Sequence, residues 1–155
     1  MIPNAFAFFD IGDTLASVRL SPAGDSIEEM TVLPDVFPAL DELRAEGVRL
    51  GILSNRGTIE EKNVNDALKQ AGLLQFFDQK LILYGPKNST QLFERAEDTV
   101  RLLNEDNHDE PPILLFVGEN AAERSFAQAA NFLVADHPSS ALPVLRQHSD
   151  EGALF

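Results

Sequence analysis

The sequence has no cysteine and no long hydrophobic run among its 155 residues. The absence of cysteine excludes disulfides, thiolate zinc sites and cysteine nucleophiles, and it fits a reducing cytosol. No apolar stretch approaches the ~18 residues that suggest a membrane span. The N-terminus also lacks the basic region, apolar stretch and small-residue cleavage site of a signal peptide. We therefore expect a cytoplasmic protein without a membrane segment.

Basic residues are also few. The chain has 12 Lys and Arg against 25 Asp and Glu, which gives a formal net charge of -13. Such a charge opposes binding to nucleic acid and to anionic lipid. We expect neither as a partner, and a substrate that carries phosphate would need a cation to meet it.

What the sequence does have is a regular alternation of strand-like and helix-like segments. Apolar runs predict strands at 5–9, 48–54, 80–84, 113–118 and 132–134, and apolar residues at helical spacing predict helices at 34–47, 59–71, 90–103, 121–130 and the C-terminus. Residues 16–33 are predicted to form a flexible excursion or a small hairpin, and 104–112 a polar loop. Helices between strands require a parallel sheet. We predict a single α/β domain over 1–155, a three-layer αβα Rossmann-like fold with a central parallel sheet, whose core includes Phe37, Phe93, Phe116 and Phe126.

Asp10 ends the first of these strands. The run from Ala5 to Phe9 is apolar throughout, as in a strand buried on both faces, so Asp10 is expected where the strand emerges from the sheet. Open α/β sheets place their ligand sites at this edge. An isolated aspartate at this position would more simply cap a turn. The interpretation of Asp10 as a reactive group depends on other segments of the chain.

Four segments at strand ends carry this argument. They are FDIGDT, ILSN, YGPKNSTQLF and FVGENAAERSFAQAANF. In this order and spacing they resemble the haloacid dehalogenase (HAD) superfamily, most of whose members are magnesium-dependent phosphatases. The stretch LPDVFPALDELRAEGVRLGILSN is similar to the family's helix and second strand, so the resemblance covers nearly the whole chain. It implies a capless, minimal core domain, because neither usual position for a cap has room for an inserted domain.

The resemblance implies roles for individual residues. Asp10 matches the family's nucleophile, whose carboxylate attacks phosphorus and forms an aspartyl-phosphate that water hydrolyses. Thr14 matches a threonine that shapes the loop, Ser54 a hydroxyl that binds a phosphoryl oxygen, and Asn55 a frequent neighbour of that hydroxyl. Lys87 matches the lysine that offsets charge between nucleophile and phosphate, although a proline here precedes the lysine instead of following it.

Glutamates stand where the family has the two aspartates that serve Mg2+. Together with Asp10, Glu119 and Glu123 would complete the metal site. Glutamate reaches about one methylene further, and Mg2+ demands near-octahedral oxygens at about 2.0–2.1 Å, so the backbone must retreat or a water must intervene. The alternative is structural, since two glutamates in the first turn of a helix complement its dipole.

Gly12 is the larger departure from the family pattern. Phosphatases of the family carry a second aspartate at this position, which protonates the leaving oxygen and later activates water. Asp13 is adjacent, but neighbouring side chains of an extended segment point to opposite sides. Asp13 can therefore supply this acid only if Gly12 permits an unusual backbone path.

The resemblance also bears on substrate and function. Without a cap, residues 16–33 form the flap that is the best candidate for substrate contact. The open site suits a phosphorylated small molecule, enclosed at a homo-oligomer interface, or a phosphoprotein. The predicted function is a Mg2+-dependent phosphohydrolase. Two alternatives stay open: a HAD-fold protein that binds or regulates without catalysis, and a receiver-type phosphoacceptor module, whose order of aspartate and lysine differs from the order here.

Overall fold

The computed structural model describes residues 1–104 and 110–153, and residues 105–109 of the predicted polar loop lie outside the described residues. The strands are β1 (Ala5–Phe9), β2 (Ala16–Leu20), β3 (Ile27–Val32), β4 (Arg49–Ser54), β5 (Ile82–Tyr84), β6 (Ile113–Val117) and β7 (Leu133–Ala135). The helices are α1 (Val36–Ala45), α2 (Glu61–Gln70), α3 (Gln91–Leu103), α4 (Ala121–Ala129) and α5 (Ala141–Ala153). No helix within the described ranges is long and apolar enough to cross a membrane.

Five parallel strands form the central sheet, in the order β5-β4-β1-β6-β7. The middle strand, β1, is buried along its whole length. Its last residue, Phe9, pairs with Ile52 of β4 and with Val117 of β6, so the three strands reach the same edge of the sheet. This sheet and its flanking helices confirm the predicted α/β fold.

Helices cover both faces of the sheet because β1 alternates its side chains between them. Ala5, Ala7 and Phe9 belong to the core shared with α1, α2 and α5. Phe6 and Phe8 belong to the core shared with α3 and α4. Burial on both faces explains why β1 is apolar at every position rather than at every second one.

The segment between β1 and α1 is a hairpin, so the hairpin alternative for residues 16–33 is confirmed. Strands β2 and β3 pair antiparallel, with Val18 opposite Met30. The Ile27 amide donates a 2.8 Å hydrogen bond to the Asn63 side chain, which ties the hairpin to α2. The hairpin also shares an apolar cavity with Ser54, so it lies beside the edge of the sheet where β4 ends.

Two predictions differ from the structure. The strand predicted at 80–84 is shorter, because Gln79–Leu81 form a single 3-10 turn that is capped by the Asp78 side chain. The prediction that Phe37 is a core residue is wrong, since it is 36% exposed. Val36 and Leu40 of α1 face the core, and Phe37 lies about 100° further round the helix than Val36. Its ring packs on that of Phe76 instead, at 5.8 Å.

Candidate active site

Asp10 lies at the carboxyl end of β1, in the middle of the sheet. Its amide donates a 3.0 Å hydrogen bond to the Val117 carbonyl, which extends the pairing with β6 by one residue. Its carboxylate oxygen Oδ1 accepts a 2.9 Å hydrogen bond from the Ile11 amide. The Asp10 side chain is only 14% exposed, so this carboxylate is held at the edge of the sheet with little freedom to turn away.

Lys87 follows β5 and is almost completely buried, with 3% of its side chain exposed. Its Nζ lies 2.8 Å from Asp10 Oδ1, 3.0 Å from the Leu53 carbonyl oxygen and 3.2 Å from Glu123 Oε1. A buried ammonium group is costly unless it is paired and hydrogen-bonded. Two carboxylates and one carbonyl supply those partners, so one cation joins residues from three parts of the chain.

Glu123 is in the first turn of α4. Asn120 caps this helix, and its side-chain oxygen accepts a 3.0 Å hydrogen bond from the Glu123 amide. The contact of Glu123 Oε1 with Lys87 is an ion pair without hydrogen-bond geometry, and this buried oxygen has no hydrogen-bond partner among the described residues. A buried acceptor without a donor is unfavourable. Among the described residues Glu123 Oε1 is therefore held by its charge attraction to Lys87, without a hydrogen-bond donor.

Thr14 joins the loop after β1 to the turn that starts α4. The Thr14 side chain is buried, and its Oγ1 accepts a 3.2 Å hydrogen bond from the Glu119 amide. Gly118 must be glycine at this turn, because a Cβ would lie 2.7 Å from the Phe116 ring. The same Cβ would lie 3.7 Å from Asp10 Cβ, so the turn packs directly against the aspartate.

The three predicted metal ligands are only partly brought together. Asp10 and Glu123 both contact Lys87 Nζ, whereas Glu119 is exposed. Within residues 1–104 and 110–153, no three acidic, histidine or cysteine side chains form a group that could hold a metal. Carboxylate oxygens are nevertheless the donors that Mg2+ prefers. The carboxylates of Asp10 and Glu123 fit such an ion in kind, although both already contact the Lys87 ammonium, and the metal assignment stays a prediction.

Ser54 is the last residue of β4, the strand that pairs with β1, and Asn55 follows it. The Ser54 carbonyl accepts a 3.0 Å hydrogen bond from the Gly85 amide, which anchors the loop that carries Lys87. Asn55 is exposed, and its side-chain oxygen accepts a 3.0 Å hydrogen bond from the Gly57 amide. Both residues are at the sheet edge where the sequence predicts phosphoryl contacts, and their roles stay predictions.

The loop after Asp10 gives Gly12 and Asp13 different surroundings. A Cβ built on Gly12 would meet no atom within 4 Å, so a side chain has room there. Asp13 has a left-handed backbone, with φ 60°, and its amide donates a 2.9 Å hydrogen bond to the Ala16 carbonyl. The Asp13 side chain is exposed, and its role as the acid stays a prediction.

Sequence reasoning missed two residues that shape the site. Asn120, directly before the Ala-rich helix, is a standard N-cap signal and could have been found. Tyr84 ends β5 and pairs with Ser54. Burial raises the pKa of Tyr84 to about 12, the nearby Glu61 carboxylate adds to the increase, and Arg56 opposes it.

Comparison with known proteins identifies the fold. No protein-family model matches the sequence, and no curated protein sequence is similar to it. The chain is similar in structure to an uncharacterized protein from Listeria monocytogenes serotype 4b, at a TM-score of 0.69 and 16% identity over 92% of this chain and 99% of that one.

Two further neighbours are described as a hydrolase and as a phosphatase. A HAD-superfamily hydrolase from Ehrlichia chaffeensis has a TM-score of 0.63 and 12% identity, over 91% of this chain and 95% of its own. The D,D-heptose 1.7-bisphosphate phosphatase from B. bronchiseptica, complexed with magnesium and phosphate, has a TM-score of 0.57 and 15% identity, over 94% of this chain and 98% of its own. The chain has the fold of the HAD-superfamily hydrolases, as its motifs predict.

Proposed function

We propose that the chain is a HAD-type phosphohydrolase that uses Asp10 as its nucleophile, binds Mg2+ and acts on a phosphorylated substrate. The observation that carries the proposal is the 2.8 Å contact between Asp10 Oδ1 and the buried ammonium of Lys87 at the carboxyl edge of the sheet. A carboxylate beside a buried cation at this edge suits attack on a phosphoryl group. The likeness in fold to hydrolases of this superfamily supports the same conclusion.

The reaction has two displacements at phosphorus. An oxygen of Asp10 attacks phosphorus, the bond from phosphorus to the leaving oxygen breaks, and that oxygen keeps the electron pair and takes up a proton from solvent. Water then attacks the phosphorus of the aspartyl-phosphate and gives up a proton to solvent, the bond between phosphorus and the Asp10 oxygen breaks, and phosphate is released with the carboxylate restored. Both hydrogen bonds that Asp10 accepts from described residues go to Oδ1, so Oδ2 is the oxygen left for the attack.

Lys87 serves this reaction by placing a positive charge between the nucleophile and the incoming phosphoryl group. Its ammonium is fixed by the Leu53 carbonyl at 3.0 Å as well as by the two carboxylates. A fixed cation in a site of low solvent exposure stabilises negative charge without reorganisation. Asp10, Glu119 and Glu123 are the residues that would hold Mg2+, which when bound neutralises further phosphoryl charge.

Gly12 sets the expected preference among leaving groups. Glycine offers no acid to the departing oxygen, and the side chain of Asp13 is exposed at the adjacent position. Loss of a positioned general acid costs about 10²–10⁴ in rate. Aryl and acyl phosphates, whose leaving groups need little protonation, are therefore the proposed substrates, and alkyl phosphates react more slowly.

One observation favours a second candidate, a HAD-fold protein that binds a ligand or regulates a partner without turnover. Lys87 pairs with both Asp10 and Glu123, so two of the three proposed metal ligands already face a cation. If Mg2+ does not replace Lys87 as the cation beside Asp10 and Glu123, the site can still bind an anion but does not catalyse hydrolysis.

The test is hydrolysis of p-nitrophenyl phosphate by the native protein, with Mg2+ and with a chelator. We expect Mg2+-dependent turnover that is lost in Asp10→Asn. Asp41→Asn is the matched control, because Asp41 is exposed on α1, remote from the site, and its variant keeps the native rate. Phosphate binding without turnover in the native protein would favour the second candidate, and turnover that survives in Asp10→Asn contradicts the proposed nucleophile.

A further inference from the structure

An apolar cavity of about 220 Å³ lies between the hairpin and the segment that joins β4 to α2. Its apolar wall consists of Ile11, Val18, Leu20, Ile27, Ile59 and Val64. Three of these residues come from the hairpin strands, and on the opposite side Ile59 lies just before α2 and Val64 in its first turn. Leu20 remains 44% exposed in this wall, so a large apolar side chain borders the cavity without being covered by the protein.

The cavity opens beside the proposed phosphoryl site. Gly12, two residues after Asp10, lies on its border, as do Ser54 and Asn55. Asn55 also lines a second, more polar cavity of about 300 Å³ that contains Lys87 and Glu123. A charged compartment and an apolar compartment therefore meet at Asn55, one on each side of it.

The apolar cavity differs in charge from the rest of the molecule. Among the described residues no carboxylate lines it, although the chain carries 25 acidic residues and a net charge of -13. Arg56 also lines the cavity. Its Nη1 donates a 2.6 Å hydrogen bond to the Ile59 carbonyl and its Nη2 lies 3.8 Å from Glu61, while its buried Nε has no hydrogen-bond partner among the described residues. Six apolar side chains form most of the lining, so the cavity suits an uncharged apolar group better than a sugar, most of whose hydroxyls would be left without partners.

The size of the cavity suits a single ring. An apolar cavity of about 150 Å³ is enough to bind benzene. A volume of 220 Å³ therefore accommodates one ring with a small linker, and it is below the range of about 300–1,000 Å³ of drug-sized ligand pockets.

We infer that this cavity binds the organic group of the substrate, and that this group is a single aromatic ring joined to phosphate directly, as in an aryl phosphate, or through a carbonyl, as in an acyl phosphate. The inference rests on the proposed function for the position of the phosphoryl group, at Asp10 and Lys87. The hairpin is then the specificity element, because Val18, Leu20 and Ile27 form the wall that faces the ring.

Calorimetric titration with benzylphosphonate and with methylphosphonate tests the cavity without requiring turnover. The two ligands carry the same phosphonate and differ by one ring. One apolar group of this kind changes affinity by about tenfold or more when it is buried. We expect benzylphosphonate to bind the native protein at least about tenfold more tightly than methylphosphonate.

Substitutions in the hairpin test whether the ring of benzylphosphonate binds in this cavity. Val18→Asn and Leu20→Ser should bring the affinity ratio close to one while methylphosphonate binding is unchanged. Ser17→Asn is the matched control, since Ser17 is exposed on the same strand and does not line the cavity, and its ratio should stay native. Circular dichroism of both hairpin variants establishes that they fold, and Leu20 tolerates the change best because it is partly exposed already.

The outcomes separate this inference from the proposed function. A ratio near one, or no benzylphosphonate binding at millimolar concentration, overturns the cavity assignment even if p-nitrophenyl phosphate is hydrolysed. A native ratio of ten or more that Val18→Asn and Leu20→Ser abolish supports it, even if no ester is turned over and the phosphohydrolase proposal fails. A high ratio that both hairpin variants retain overturns the assignment to this cavity.

Discussion

Lys87 reaches Asp10 across the end of an intervening strand. The two residues are 77 positions apart in sequence and follow β5 and β1, between which β4 lies in the sheet. On the way, Lys87 Nζ donates a 3.0 Å hydrogen bond to the Leu53 carbonyl of β4. A long, flexible side chain with a compact charge at its end suits this position. The ammonium therefore connects the ends of three strands.

Replacing Lys87 by methionine should therefore reduce both stability and activity. The variant leaves Asp10 and Glu123 facing each other without the cation between them. We expect the free energy of unfolding to fall by about 1–3 kcal/mol, and hydrolysis of p-nitrophenyl phosphate to fall by roughly 10²-fold or more. Urea denaturation and steady-state kinetics measure the two effects.

Lys62→Met is the control for the Lys87 substitution. Lys62 is exposed and pairs with Asp66 on the surface of α2, and such pairs contribute at most about 1 kcal/mol. Native stability and activity in Lys87→Met would contradict the proposed role of the buried ammonium.

Introducing an aspartate at Gly12 should restore the missing acid. A Cβ at this position would have no neighbouring atom within 4 Å, so the new side chain enters without displacing a neighbour. We expect kcat/KM for an alkyl ester such as glycerol phosphate to rise by about 10²–10⁴ in Gly12→Asp, with a smaller change for p-nitrophenyl phosphate.

Gly12→Ala separates the carboxyl group from the effect of any side chain, because it adds the Cβ alone. An equal gain in Gly12→Ala would show that the backbone, and not the acid, is responsible. Equal efficiency of the native protein on both esters would also contradict the prediction, since another acid would then be present.

Gly51 in β4 is required by packing. A Cβ there would lie 2.5 Å from the Leu81 carbonyl oxygen and 2.8 Å from the Phe8 ring, and a backbone atom cannot move aside as a flexible side chain can. We expect Gly51→Ala to lower the free energy of unfolding by about 1–3 kcal/mol. Urea denaturation followed by circular dichroism measures this, and Gly12→Ala, which meets no neighbour, should be within about 0.5 kcal/mol of native. Equal stability of the two variants would refute the steric explanation.

Tyr84 should make the stability of the protein fall at alkaline pH. Burial raises its pKa to about 12 from an ordinary value near 10, so the unfolded chain loses this proton first. The stabilisation is fully present below pH of about 10 and is lost as the pH rises towards about 12. The chain has one tyrosine and no tryptophan, so tyrosinate absorbance reports this residue alone.

The measurement compares absorbance titrations of the folded protein and of the protein in urea. We expect the folded titration to lie at higher pH, and Tyr84→Phe to flatten the change in stability over that interval. Superimposable titrations would mean that Tyr84 is not buried as the structure indicates.

The sequence was sufficient to predict the fold because its central strands are buried on both faces. Continuous apolar runs marked β1 and β6, and the helices between strands required a parallel sheet. The exposed position of Phe37 and the short β5 were not predictable, since both depend on contacts with side chains elsewhere in the fold. Phe37 finds a partner in Phe76, and the turn before β5 is set by an Asp78 cap.

Motif spacing predicted which residues lie at the carboxyl edge of the sheet, but not how their side chains meet. Asp10 and Glu123 do come together, because both carboxylates contact the ammonium group of Lys87. The contribution of the Leu53 carbonyl and the unpartnered oxygen of Glu123 depend on the detailed path of the backbone. The exposed Glu119 and the left-handed Asp13 depend on it in the same way, and local sequence pattern does not carry that information.

Beryllofluoride binding tests the role of Asp10 most directly, because this mimic of a phosphoryl group forms its complex on the carboxylate that would be phosphorylated. Fluorine NMR in the presence of Mg2+ follows the bound species in the native protein and in Asp10→Asn. We expect a bound signal in the native protein that is absent in Asp10→Asn. A signal of equal strength in both proteins, or none in the native protein, would contradict Asp10 as the phosphoryl acceptor.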